Sequence, residues 1–216
     1  MNTLTTTDLT AALQWRYATK SFDATKKIPA ATLEALISAL HLSPSSFGLQ
    51  PWKFFVIENS DLRDQLRLQS WNQPQVTDAS HLIVLAAKET ITTADIHDWI
   101  QCLASTQGTP IEQLAPLQGM ITQFTGAMSI DDMQQWNSRQ VYIALGQLMT
   151  SAAVMGVDSC PLEGISAAAY DQILSLDGSG YRTLVACALG YRSEHDKYAT
   201  APKARFPLEK VVSVIA

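Results

Sequence analysis

Arg16 and Lys20 stand four apart in WRYATKSF, where a helical pattern gives way to a loop, so both side chains can turn toward one spot. Two readings are open for the pair: a solvated helix end whose cations complement the macrodipole, or two cations facing one anionic ligand. Near the other end, APKARFP puts Lys203 and Arg205 two apart between Pro202 and Pro207. Residues at that spacing in an extended stretch face the same side. Taken alone, this second pair reads as a solvated loop. Between the two pairs lies Cys160-Pro161-Leu162-Glu163-Gly164, a strand end leading through a Glu-Gly turn to a helix capped by Ser166. Its backbone amides could face a ligand, and an ordinary strand-to-helix turn explains it equally well.

Other chemistries lack their residues. A dinucleotide fold needs GxGxxG between a strand and a helix, whereas Gly178-Ser179-Gly180 precedes a strand pattern and reads as a turn. There is no GxxxxGK[ST] loop and no GxSxG elbow, and His41, His81, His97 and His195 lie too far apart for a motif such as HExxH. Cys102, Cys160 and Cys187 form no CxxC pair, which predicts three reduced thiols, each a small core residue, in a cytoplasmic protein. With 15 Lys and Arg against 20 Asp and Glu, the net charge of -5 leaves no basic surface for a nucleic-acid backbone. No apolar run reaches the roughly 18 residues of a membrane span, and residues 1–20 lack the pattern of an export signal.

The elements that must position these groups follow from the periodicity of a 216-residue chain that is 47% hydrophobic and 16% charged. No repeat or linker interrupts it, so a single domain over 1–216 is expected. Helices are predicted over 8–17, capped by Asp8, over 29–42, where Pro29 suits a first turn, and over 61–70. Residues 52–58 are aromatic and β-branched and read as a strand. HLIVLAA (81–87) and TLVACAL (183–189) are apolar on both alternating faces, as central strands require. Residues 130–155 can form one helix of about 39 Å, stopped by Gly156. Its second half is apolar nearly all round, so it should be buried on every side, within the domain or across a subunit interface. A short strand at 157–160, a helix at 166–176 and a strand at 211–215 complete an α+β pattern.

WRYATKSF, LSPSSFGLQPWKFFVI, WNQPQVTDASHLIV, NSRQVYIALGQL, CPLEGI and TAPKARFP follow one another in the order and spacing of the FMN-dependent nitroreductase family. The resemblance spans essentially the whole chain and is greatest to the oxygen-insensitive nitroreductase and dihydropteridine reductase branch. It implies an α+β homodimer, with a mostly antiparallel sheet surrounded by helices, the long helix packed on its partner, and two FMN sites at the interface. By the same comparison Arg16, Lys203 and Arg205 resemble the FMN phosphate cations, and Lys20 and Asn72 the partners of the flavin's pyrimidine edge. Pro161, Leu162, Glu163 and Gly164 would cover one flavin face, with the Glu163 amide toward N5, and Ser45 and Ser46 would reach over from the partner subunit.

These implied roles make physical sense. Charge-assisted bonds contribute about 1.5 to 3 kcal/mol each, so three cations supply much of the roughly 8 kcal/mol behind a micromolar complex. A unit charge about 4 Å from the negative edge of reduced flavin gains at most about 4 kcal/mol at an effective dielectric near 20, or about 85 mV for a two-electron couple. Lys20 would supply that charge.

Three positions depart from the family. Ala18 stands where a hydroxyl is frequent, Gln75 where a lysine is common beside the flavin, and Gly48 where an asparagine is usual. Residues 109–128, a mobile flap in the family, match poorly. Phe124 is either the flap's substrate-stacking aromatic or a surface helix residue. The implied activity is NAD(P)H-dependent reduction of nitroaromatics, quinones or similar electrophilic acceptors. The alternatives are a dedicated flavin or dihydropteridine reductase and a non-catalytic FMN-binding or storage protein.

Overall fold

The computed structural model describes residues 4–215. In chain order the helices and strands are α1 (Thr6–Trp15), α2 (Ala30–His41), β1 (Trp52–Ile57), α3 (Ser60–Leu68), α4 (Gln75–Asp78), β2 (His81–Lys88), α5 (Thr93–Gln107), α6 (Ala115–Gly126), α7 (Ile130–Val154), β3 (Asp158–Leu162), α8 (Ala167–Ile173), β4 (Tyr181–Gly190) and α9 (Leu208–Val211). At the start of α1 the cap is Thr5, whose hydroxyl accepts the Asp8 amide. Asp8 answers from the first turn by accepting the Thr5 amide. The sequence pattern had placed Asp8 itself at the cap.

The four strands form one antiparallel sheet in the order β1-β2-β4-β3. β2 is buried from His81 to Ala87, because the alternation of a strand sends its side chains into two cores. Ile83, Leu85 and Ala87 join Val185, Cys187 and Leu189 of β4 on the face that meets Leu36 and Leu40 of α2 and Val141 and Leu148 of α7. Leu82, Val84, Ala186 and Ala188 face the other way, toward Leu66, Val76 and Tyr170. Each fully buried Leu or Ile stabilises the fold by about 1.5 to 3 kcal/mol relative to an exposed one. β3 is an edge strand, which is why it tolerates Pro161 within its run. The two central strands, the antiparallel sheet and the α+β class agree with the sequence pattern.

α7 runs 25 residues, about 38 Å. Within one subunit its buried residues share one face, and Tyr142 (40% exposed) and Ile143 (46%) lie open. Two expectations are corrected. Residues 211–215 form no strand: Pro207 opens the short turn of α9, which includes Val211, and Val212 beyond it is extended but belongs to no strand of the sheet. Cys102 is exposed, whereas Cys160 and Cys187 are buried, and all three are free thiols. Within 109–128, α6 packs through Ile121 against Ile96 and Ile100 of α5 and Met133 of α7. The start of α5 is a second capping box, between Thr92 and Asp95.

Candidate functional site

The segment 16–22 leaves α1 and is laid across the ends of β3 and β4 by two isolated bridges, Ala18 with Ser159 and Phe22 with Arg192. Side chains fix it there. Arg192 donates from Nε (2.9 Å) and Nη2 (2.6 Å) to Asp158, and its guanidinium lies 4.1 Å from the Trp15 ring centre and 4.6 Å from that of Tyr17. Asp196 accepts the amides of Lys20 (2.8 Å) and Ser21 (2.9 Å) and the Tyr17 hydroxyl (2.9 Å) on one oxygen, and the Tyr198 amide (2.9 Å) on the other. Burial opposes its ionisation, but these four donors hold its carboxyl below the usual carboxylate range. Burial and the neighbouring Asp196 push the Tyr17 hydroxyl up to about 12.

Arg16, Lys20, Lys203 and Arg205, which the sequence leaves about 180 residues apart as two pairs, line one cleft of about 480 Å³. Ala18 is part of the same wall. Among the described residues no carboxylate lines this cleft, and none of the four cations is in a salt bridge. Lys203 donates to the Leu13 (2.6 Å) and Arg16 carbonyls at the end of α1, so it closes the helix C-terminus and keeps one of its three donors free. Partial burial and then the charges of Arg16 and Arg205 lower its pKa. The Arg16 Nε is buried with no partner. Uncompensated cations and an orphaned guanidinium donor fit an anion, a phosphate above all.

The 161–164 turn is held from two sides. Glu163 accepts the Tyr142 hydroxyl from α7, and burial with that contact pushes Tyr142 up to about 12. Gln73 Nε2 donates to the Gly164 carbonyl (3.2 Å), and the Ser166 amide donates to Gln69 (2.8 Å). Trp71 lies over Gly164 so closely that a Cβ there would sit 2.8 Å from the ring, and Trp71 and Asn72 both adopt left-handed φ values, 51° and 55°. Leu162 is buried and Pro161 partly so. Ser166 occupies the cap of α8, but its hydroxyl makes no capping bond, so that part of the expected capping is absent.

Asn72 is exposed, its Oδ1 accepts Arg67 Nε (3.0 Å), and it is not among the residues lining the cationic cleft. Gln75 is buried near the Cys160 thiol, and its Oε1 has no partner. Desolvation raises the Cys160 pKa, against a smaller opposing effect of the Lys20 charge.

Ser45 and Ser46 stand elsewhere in the chain. Ser45 Oγ accepts the Gln50 amide (2.9 Å), and the Ser46 amide donates to Gln140 of α7 (2.9 Å). The next turn explains the Gly48 departure. At φ 73°, a Cβ on Gly48 would strike the Trp99 ring of α5, so the indole occupies the space a side chain would need. Phe124 meets Phe47 edge-on at 5.3 Å and Trp136 at 5.8 Å, and it is 42% exposed. It is a helix residue with an aromatic anchor beneath it. Asp196 and Arg192, which shape the cleft most, were not singled out in the sequence. Their partners lie far away along the chain, and no local spacing marks them.

The antiparallel sheet, the long helix packed on it and the cation-lined cleft define an α+β protein with an uncompensated cationic cleft. Residues 13–191 match the Nitroreductase family. A Staphylococcus haemolyticus protein with the provisional name NAD(P)H nitroreductase is 36% identical over 214 residues, spanning 94% of this chain and 95% of its own. The Bacillus subtilis structure ydfN, provisionally described as a nitroreductase, superposes with a TM-score of 0.87 at 18% identity, covering 98% of this chain and 100% of that one. A similarly described protein from Exiguobacterium sibiricum, solved in complex with FMN, gives 0.82 at 21% identity, with coverage of 99% and 100%. The chain belongs to the nitroreductase family of oxidoreductases.

Proposed function

We propose that this protein is an FMN-dependent NAD(P)H oxidoreductase that reduces nitroaromatics, quinones or similar electrophilic acceptors by a ping-pong mechanism, as a cytoplasmic homodimer of single-domain subunits. The observation that carries the reading is the cleft in which four cations meet without a counterion, with the Arg16 Nε buried and unpaired. Bound FMN supplies the chemistry of accepting hydride from the nicotinamide and passing it on. Arg16, Lys203 and Arg205 hold its phosphate through charge-assisted bonds, each contributing about 1.5 to 3 kcal/mol. Lys20 presents its charge to the flavin's pyrimidine edge, and Asn72 and Gln75 supply polar partners. The unpaired Gln75 Oε1 supports that role, whereas the engaged oxygen of Asn72 leaves its amide nitrogen for the task.

Pro161, Leu162, Glu163 and Gly164 exclude water from one face, with the Glu163 amide positioned by the bond between its side chain and Tyr142. The homodimer is supported by the apolar residues that α7 leaves open, Ile143 and Val154, and by Val214 (90% exposed) and Ile215 (95%). An apolar surface of that kind favours a second copy of the chain. Ser45 and Ser46 stand away from their own cleft, as residues that serve a partner's site would.

Titration of the apoprotein with FMN and with riboflavin tests the reading. FMN binds in the micromolar range or tighter, and riboflavin, which lacks the phosphate, binds at least tenfold more weakly. Equal affinity for the two would contradict a phosphate role for the cleft.

A further inference from the structure

We infer that Asp196 is the positioning residue that sets the two cation pairs against each other, and through them both the affinity and the potential of the flavin. The inference rests on the reading of the cleft as an FMN site. Arg16 and Lys20 arrive between α1 and α2, whereas Lys203 and Arg205 arrive after β4, and their common wall needs a tie. Asp196 is that tie. It is 5% exposed and does not line the cleft, yet one carboxylate oxygen takes the Lys20 and Ser21 amides and the Tyr17 hydroxyl while the other takes the Tyr198 amide.

The charge of Asp196 by itself opposes an anionic ligand, so its place beside the cleft follows from its acceptors. A carboxylate offers two oxygens that only accept. An asparagine side chain with its oxygen toward Lys20, Ser21 and Tyr17 would turn its NH₂ toward the Tyr198 N–H, donor against donor. Loss of that bond releases the chain leading to Lys203 and Arg205. The opposite flip releases Lys20. Charge and geometry therefore predict opposite signs for Asp196→Asn: a residue acting only through its charge makes FMN binding tighter on neutralisation, and a positioning residue makes it weaker.

Apoprotein of the wild type, Asp196→Asn, Tyr17→Phe and Arg205→Ala is titrated with FMN by fluorescence quenching, and the midpoint potential of each holoprotein is measured. Asp196→Asn is expected to weaken FMN at least tenfold. It is also expected to lower the preference for reduced over oxidised flavin about tenfold, a fall of about 30 mV for a two-electron couple, which a general loss of stability would not produce. Tyr17→Phe, which removes one donor and keeps the ring over Arg192, shifts both quantities the same way by a smaller factor. It carries the test alone should Asp196→Asn fail to fold. Unchanged or tighter FMN binding with an unmoved potential in whichever of these variants folds overturns the inference, provided that Arg205→Ala weakens FMN. Should the wild type and Arg205→Ala bind FMN alike, or not at all, the reading of the cleft itself fails.

Discussion

Lys203 closes the last turn of α1 with two of its donors and keeps the third for the cleft, so its removal affects both the helix and the ligand. Arg205 is the cleaner probe, since its one hydrogen bond among the described residues goes to the neighbouring Ala204 carbonyl. Arg205→Ala is expected to weaken FMN by about 1.5 to 3 kcal/mol, or roughly 10- to 150-fold, with stability nearly unchanged. Equilibrium titration beside a thermal melt checks both parts. Gly48→Ala confronts a positive φ and the Trp99 ring together. It should destabilise the protein by about 1 to 3 kcal/mol, read as a lower urea midpoint at constant slope. The cation pairs were legible because charged residues at short spacing stand out in any sequence. Gly48 was visible only as an unusual residue, because its reason lies on α5, which comes close only in the folded chain.

α7 joins the core to the open face. Leu148 is fully buried against both central strands, so Leu148→Ala is expected to cost about 2 to 5 kcal/mol in denaturant unfolding. Ile143 looks outward on the same helix, and Ile143→Glu is expected to shift sedimentation from dimer toward monomer while leaving the far-ultraviolet dichroism intact. A monomeric wild type would remove the basis of that prediction. β2 and β4 were readable because strands buried on both faces give unbroken apolar runs. Residues 211–215 misled because β-branched composition records a preference for extended backbone, whereas a strand also needs an edge to pair with. α5 went unread because its start depends on a capping box of Thr92 and Asp95 rather than on a strong apolar stripe.

Acid should destabilise the fold as its depressed carboxylates take up protons. Asp95 is buried in part, which opposes its ionisation, but Lys88 and the Thr92 amide and hydroxyl hold its carboxyl below the usual range, as the donors around Asp196 do there. A carboxylate depressed in the folded state contributes fully above its unfolded pKa of about 3.9, and the contribution is lost as the pH falls through the lower native value. Melting temperature should therefore decline below about pH 4, and Asp95→Asn should melt lower at neutral pH with a shallower acid limb.

At the scale of the whole molecule, the sequence carries no GxGxxG turn between a strand and a helix to hold a nicotinamide dinucleotide apart from the flavin. Under the proposed function the 161–164 turn would cover one flavin face, so donor and acceptor would use the other in succession and the two half-reactions would separate. The holoprotein is mixed anaerobically with NADH or NADPH, freed of nicotinamide by gel filtration, and then mixed with a nitroaromatic or a quinone while the flavin absorbance is followed. The flavin is expected to bleach at a catalytic rate without any acceptor present, to stay reduced through the separation, and to recolour on adding the acceptor. A flavin that does not bleach, or one that recolours only while nicotinamide remains bound, would contradict the proposed reaction.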